Sequence, residues 1–247
     1  MPAPALKGLL FDKDGTLIDF DRTWGPAAYE VMRIMAQGDE ARFRALAEAN
    51  HFIIEERRFL RTSPLVAGSS QSYGALWAQV LGRENGAELH AEMDDLFKHW
   101  GLQKLSPIGE PLAVLAELAQ DGYRLGIATN DAEASALVQA EAMGLAPHLD
   151  YVVGYDSGHG GKPEPGMVLG FARAIGASPA EVALIGDSTH DLHAARAAGA
   201  VSIAVLTGPA PRDELEPHAD YVVESIAQLP AFLRGLGARA ETERRAG

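Results

Sequence analysis

Two carboxylates, Asp12 and Asp14, stand two positions apart in KGLLFDKDGTLID, directly after a short apolar run over residues 8–11. Side chains at i and i+2 of an extended segment point the same way. Both acids are therefore expected to face one small site, with Lys13 between them pointing away. Like charges that close repel unless a cation or a shared proton relieves them. The pair suits Mg2+, a hard ion that takes carboxylate and carbonyl oxygens. It also suits a division of labour, one carboxylate acting as nucleophile and the other as general acid/base. A plain helix-capping turn uses the same D-x-D-G residues, so the pair gains its meaning from what accompanies it.

Three further stretches carry complementary chemistry. An apolar run over 123–128 delivers Thr129, Asn130 and Asp131, where a hydroxyl and backbone N–H groups ahead of a helix make a small anion site. Gly160-Gly161-Lys162-Pro163 holds a lysine in a loop tightened by glycines, placed to neutralise a phosphate or a nucleophilic carboxylate. A strongly apolar run over 182–185 leads through Gly186 into Asp187, Ser188 and Asp191, acids able to complete a Mg2+ site with Asp12. Each stretch alone is compatible with ordinary helix capping or a solvated loop. Together they supply nucleophile, cation clamp, metal and general acid/base, which is the equipment of phosphoryl transfer.

These residues need a scaffold that brings four strand ends together. From residue 110 onward helical and apolar-strand patterns alternate: helices over 111–120, 132–143, 165–175 and 191–198, and strands over 123–128, 151–153, 182–185, 201–206 and 221–223. Such alternation predicts an α/β fold, a Rossmann-like parallel sheet covered on both faces with right-handed crossovers. Its ligands belong at the carboxyl ends of the strands. Residues 20–100 read differently. Trp24, Ala28, Val31 and Met35 recur at helical spacing, Gln37-Gly38-Asp39 interrupts, and Phe43, Leu46 and Ala47 continue on a second helix. A loop from Arg61 to Ser70 precedes a third helix carrying Leu76, Val80 and Leu81 and a fourth carrying Leu89, Met93, Leu96 and Phe97. No strand is expected there, although 50–60 fits a helix or an irregular extended segment. The expected division is thus a core of 1–19 and 101–235, an all-helical insert of 20–100, and a flexible tail of 236–247.

The 247 residues suffice for one or two domains. A net charge of −13 argues against nucleic acid as a partner, because there is no basic excess to neutralise phosphates. It leaves room for a small phosphorylated metabolite met by a few local cations. The chain has no cysteine, hence no disulfide framework, and no window approaches the apolar length of a membrane span. MPAPALKG lacks the pattern of a signal peptide, so a cytoplasmic location and no membrane partner are expected.

The four stretches resemble the motifs of the haloacid dehalogenase superfamily of phosphatases: FDKDGTLID its D-x-D-G-T first motif, ATND the second, GGKPEPGM the third with its lysine, and IGDSTHD the acidic fourth. The resemblance covers the chain except its tail and implies Asp12 as nucleophile, through an aspartyl-phosphate, with Asp14 as general acid/base. It implies Thr129 and Asn130 as phosphate binders and Lys162 as the clamp on nucleophile and phosphate. It implies Mg2+ held by Asp12, the Asp14 carbonyl and Asp187, with Asp191 in support. The insert looks like the family's helical cap, which closes over substrate and excludes water. An acid at position 14 separates this chain from the dehalogenating branch, and overall it is most similar to phosphoglycolate-phosphatase-like hydrolases. A sugar phosphomutase shares the same core, and a phospho-receiver module combines acids, Thr/Ser and Lys in a comparable way but lacks an inserted cap. Arg22, Arg57, Arg58, Arg61 and residues 69–72 are the candidates in the insert for reading a substrate, and none of them is assigned to the site.

Overall fold

The computed structural model describes residues 5–66 and 68–246, with side chains described to residue 238. Its centre is β1, Gly8–Phe11, whose four residues are all buried. β1 pairs in parallel with β4 (Arg124–Ala128) on one side and β6 (Val182–Gly186) on the other. β5 (Tyr151–Val153) lies outside β4, and β7 (Val201–Val205) and β8 (Tyr221–Val223) lie beyond β6. The order is β5-β4-β1-β6-β7-β8, and every pairing is parallel. The chain builds outward from β1 through β4 to β5, then crosses back to β6. That reversal opens a crevice at the carboxyl ends of β1, β4 and β6.

The period-two alternation of a strand explains the two halves of the core. Leu9, Phe11, Leu125, Ile127, Ala183 and Ile185 pack on one face with Leu115 and Leu118 of α5 (Pro111–Gln120) and Leu229 and Leu233 of α10 (Leu229–Ala246). Leu10, Ala128 and Leu184 face the other way, onto Met167, Val168 and Phe171 of α7 (Gly166–Ala174) and Ala194 and Ala195 of α8 (Thr189–Ala198). α6 (Glu133–Ala142) follows β4 directly. α10 runs through the stretch expected to be a flexible tail, so the backbone is helical there to Ala246. Side chains from residue 239 onward lie outside the described ones.

The insert has a hydrophobic core of its own. α1 (Phe20–Met35), α2 (Glu40–Ala49), α3 (Ser70–Leu81) and α4 (Ala87–Gln103) enclose a buried cluster from Trp24 to Phe97. Trp77 is fully buried, and its indole N–H donates to Asn50 Oδ1 at 2.9 Å. The insert is not purely helical, contrary to expectation. β2 (Phe52–Ile53) and β3 (Arg58–Phe59) form a small antiparallel hairpin, with Phe52 opposite Phe59. His51 and Arg57 turn the chain at φ 49° and 48°, and two-residue strands are too short for a period to show in sequence. α4 also continues past Trp100 to Gln103, and the return crossing is tied by Asp19 N–H donating to Ser106 O at 2.8 Å.

Candidate active site

β1 ends at Phe11, and Asp12 N–H still donates to Ile185 O of β6 at 2.8 Å. Beyond it the chain bends: the N–H groups of Leu17 and Ile18 both fold back to Lys13 O, at 2.8 and 3.0 Å. Gly15 makes this turn possible at φ +83°. Gly15 and Gly208 together cradle Asp187; a Cβ at either would lie 2.3 Å or 1.6 Å from Asp187 Oδ2. Two absent side chains therefore leave the space in which this carboxylate sits.

The bend overturns the expectation for Lys13. Its side chain is fully buried, with Nζ 2.7 Å from Asp14 Oδ2 and 3.0 Å from Asp131 Oδ2. The alternation that would turn it away requires extended backbone, and the strand ends two residues earlier. Burial disfavours the charge on Lys13, but Asp14 and then Asp131 more than offset it, so its pKa is raised. Asp14 also accepts from the indole N–H of Trp24 at 2.5 Å, and Lys13 Nζ lies 4.8 Å from the centre of that ring.

The other strand ends converge on Asp12. Lys162 Nζ lies 2.5 Å from Asp12 Oδ1 and 2.7 Å from Asp191 Oδ1, and donates to Ala128 O at 2.9 Å. Ser188, the N-cap of α8, donates its N–H and hydroxyl to Asp191 Oδ2 at 3.1 and 2.6 Å. Asp12, Asp187 and Asp191 are all buried and bring carboxylate oxygens within 4.8 Å of one another. Burial first raises the pKa of Asp12; Lys162 opposes this, while Asp191 and Asp14 add to it, and the balance is about 7. Burial, then Asp12 and Asp191, push Asp187 well above the usual carboxylate range. Lys162 is pushed up: its burial is outweighed by Asp12 and Asp191. Three acids face one lysine in a dry site. This all-oxygen, net-negative donor set fits a hard divalent cation.

Thr129 and Asn130 follow β4 in the same crevice. Thr129 is buried, and its Oγ1 accepts from Asp131 N–H at 3.0 Å. The Asn130 side chain is committed to the neighbouring loop: Oδ1 accepts from Lys162 N–H at 2.8 Å and Nδ2 donates to Lys162 O at 3.0 Å. It braces the lysine loop, a use that the expectation of phosphate binding did not foresee. Asp14 likewise stands apart from the three clustered acids, its carboxylate turned to Lys13 and Trp24.

Over these residues the insert encloses a cavity of about 280 Å3. Asp12, Asp14, Thr129, Lys162 and Asp187 line its floor, and Phe20, Trp24, Phe59, Tyr73 and Phe97 its roof. Besides the Trp24–Asp14 hydrogen bond, further polar contacts join insert and core. Arg61 Nη2 donates to Glu214 Oε2 at 2.9 Å, and Tyr155 bridges Ser70 and Asp94, its hydroxyl 2.8 Å from Ser70 Oγ and 2.7 Å from Asp94 Oδ2. Of the arginines expected to read substrate, Arg61 lines the cavity; Arg22 pairs with Asp19, Arg58 with Glu56, and Arg57 stacks 4.2 Å over Tyr29. Asp94, Tyr155 and Glu214 carry no sequence signal beyond residue type, Trp24 shows only as a member of an apolar helical stripe, and Asp131 only by its place after an apolar run.

The profile of the haloacid dehalogenase-like hydrolases matches residues 6–199. The chain belongs to that family. This haloacid dehalogenase-like hydrolase is 30% identical over 220 residues to the Dickeya dadantii protein named "Probable phosphatase IndB", covering 87% of each chain. It is 29% identical over 234 residues to a phosphoglycolate phosphatase of Yersinia pseudotuberculosis, covering 91% of this chain and 92% of the other. Among solved structures, a phosphatase of the same family from Thermococcus onnurineus superposes with a TM-score of 0.64 at 23% identity, covering 92% of this chain and 98% of that one. Among the described residues, no helix is long and apolar enough to cross a membrane.

Proposed function

We propose that this protein is a Mg2+-dependent phosphomonoesterase acting on a small phosphorylated metabolite through an aspartyl-phosphate on Asp12. One observation carries the reading: Asp12 is buried at the end of the central strand, against Lys162 and beside two more buried acids, under a roofed cavity. Asp12 attacks phosphorus, the P–O bond to the leaving alcohol breaks, and Asp14 supplies that alcohol's proton. Asp14 then takes a proton from water as its oxygen attacks the phosphoenzyme, which frees inorganic phosphate and restores Asp12. Lys162, with Thr129 and the backbone at Asn130, offsets the phosphoryl charge. Asp12, Asp187 and the Asp14 carbonyl, supported by Asp191, would hold Mg2+, which when bound supplies positive charge to phosphoryl and carboxylate oxygens. The insert acts as the cap, keeping bulk water from the phosphoryl group. The two named phosphatases that match most of the chain support this reading.

The test is release of phosphate from a panel of phosphomonoesters, with Mg2+ and with EDTA. Mg2+-dependent release is expected. A folded protein that releases none with Mg2+ present refutes the hydrolase reading; conversion of a sugar phosphate to its isomer in that case would identify a mutase.

A further inference from the structure

The cavity roof is largely aromatic: Phe20, Trp24, Phe59, Tyr73 and Phe97 line it above the phosphoryl-transfer residues. Among the described residues that line the cavity, the lysine and arginine side chains are Lys162 and Arg61. Lys162 is spent on Asp12 and Asp191 at the floor. Arg61 is paired across the rim with Glu214. Both members of that pair are about half exposed (57% and 48%), so it adds little to holding the roof down; Glu214 offsets part of the positive charge that Arg61 would offer a carboxylate. His190 stands on the first turn of α8, on the core side.

The opposite charge is available on the roof. Asp94 of α4 lines the cavity, and among the described residues it has no cationic partner. It accepts from the Tyr155 hydroxyl through Oδ2, and Tyr155 in turn contacts Ser70. A carboxylate held by two hydroxyls, those of Tyr155 and Ser70, retains acceptor capacity, since its two oxygens offer about four lone-pair sites.

Resting on the phosphatase reading above, we propose that the cavity selects phosphomonoesters whose alcohol part has an apolar or aromatic body ending in a hydrogen-bond donor, amine or hydroxyl, and disfavours small carboxylates. Asp94 receives the donor, the aromatic roof covers the body, and Glu214 competes with an anion for Arg61. This separates the chain from the activity named for its phosphoglycolate phosphatase relatives, whose substrate ends in a carboxylate.

A matched series of para-substituted phenyl phosphates isolates the terminal group: aminoethyl, hydroxyethyl, ethyl and carboxymethyl, with phosphoglycolate as the small-anion arm. The expected kcat/KM for the aminoethyl and hydroxyethyl esters exceeds that for the carboxymethyl ester by at least about tenfold, and phosphoglycolate ranks last. Asp94→Asn should shrink the amine-to-carboxylate ratio several-fold. That ratio does not move if Asp94 merely holds the roof in place, because all esters would then slow together. Glu214→Gln should raise kcat/KM for the carboxylate arms alone. Carboxylate esters turned over as well as or better than the amine, or an unchanged ratio in both variants, overturns the specificity while leaving the phosphatase intact. Phosphate release from no ester, by folded protein with Mg2+, overturns both.

Discussion

Replacing Lys13 by methionine tests the buried charge network beneath Asp14. The ammonium lies 2.7 Å from Asp14 and 3.0 Å from Asp131, its own side chain fully buried and those of its partners 18% exposed. Methionine keeps much of the stem but leaves two carboxylates facing each other without a cation. Breaking a buried pair in this way costs roughly 3–5 kcal/mol, and the partners' residual contact with water argues for the lower end, about 3 kcal/mol. Loss of the cation above the Trp24 ring adds about 0.5–2 kcal/mol, offset in part by a sulfur–aromatic contact of about 0.3–1.5 kcal/mol. Urea unfolding of the metal-free protein at pH 7.5, followed by tryptophan fluorescence, should show a midpoint lower by roughly 1 M for a slope near 3 kcal/mol/M. The pH dependence gives a second reading. Lys13 has a folded pKa raised above its ordinary 10.5, so its contribution in the parent is fully present at neutral pH and is lost only as pH rises through that raised value. In the variant, uptake of one proton relieves the facing carboxylates, so the deficit should narrow as pH falls from 7.5 to 5. A Lys13→Met protein within about 1 kcal/mol of the parent, with no change in the deficit between those pH values, would refute the inward placement of Lys13.

Asp12→Asn should cut phosphate release by roughly three orders of magnitude or more while circular dichroism stays that of the parent, since it removes the proposed nucleophile and one negative charge from the acid cluster. Trp24→Phe keeps an aromatic ring but deletes the N–H donated to Asp14; a hydrogen bond to a charged group is worth about 1.5–3 kcal/mol, so kcat should fall roughly 10- to 150-fold, and an unchanged kcat would show that the contact does not position the acid. Asp12 has a folded pKa of about 7 against an ordinary 3.8, so without metal the folded state holds its proton more tightly and this group's contribution to stability declines as pH rises between those values. Mg2+ and protons compete for the same oxygens, so Mg2+ at ten times its Kd should raise Tm by about 3–5 °C at pH 7.5 and by less at pH 5.5; an equal rise at both would argue that these carboxylates are not the ligands.

The sheet and the convergence of its strand ends were legible because both depend on local pattern. The runs at β1 and β6, and at β4 after its exposed Arg124, are apolar since these strands are buried on both faces, and the polar residues that follow them lie at the carboxyl tips. Asp12, Asp187 and Asp191 follow from these runs and Lys162 from its glycine-tightened loop, and the structure brings their charged ends together. Lys13 departs from the alternation for a specific reason. It lies two residues past the end of the strand, in a bend set by Gly15 and by two N–H groups folding back to one carbonyl, where a period of two no longer holds.

What stayed hidden was the pairing between the insert and the core. Trp24 shows in sequence as one member of an apolar helical stripe, and its burial agrees with that. Its indole N–H, however, leaves the insert to reach Asp14, and nothing in the stripe distinguishes it from a tryptophan whose N–H meets solvent. Arg61 and Glu214 are 153 positions apart, and Asp94 and Tyr155 are 61 apart. Each is one charged or polar residue among many, and its partner is fixed only when two separately packed cores are set against each other. Asn130 shows the same dependence on tertiary context: its place after β4 suggested an anion binder, while its amide meets both main-chain groups of Lys162, 32 residues on. Residue type at a strand tip thus points to the proposed reacting groups, whereas the side chains that hold them, and those proposed to choose the substrate, emerge from contacts distant in sequence.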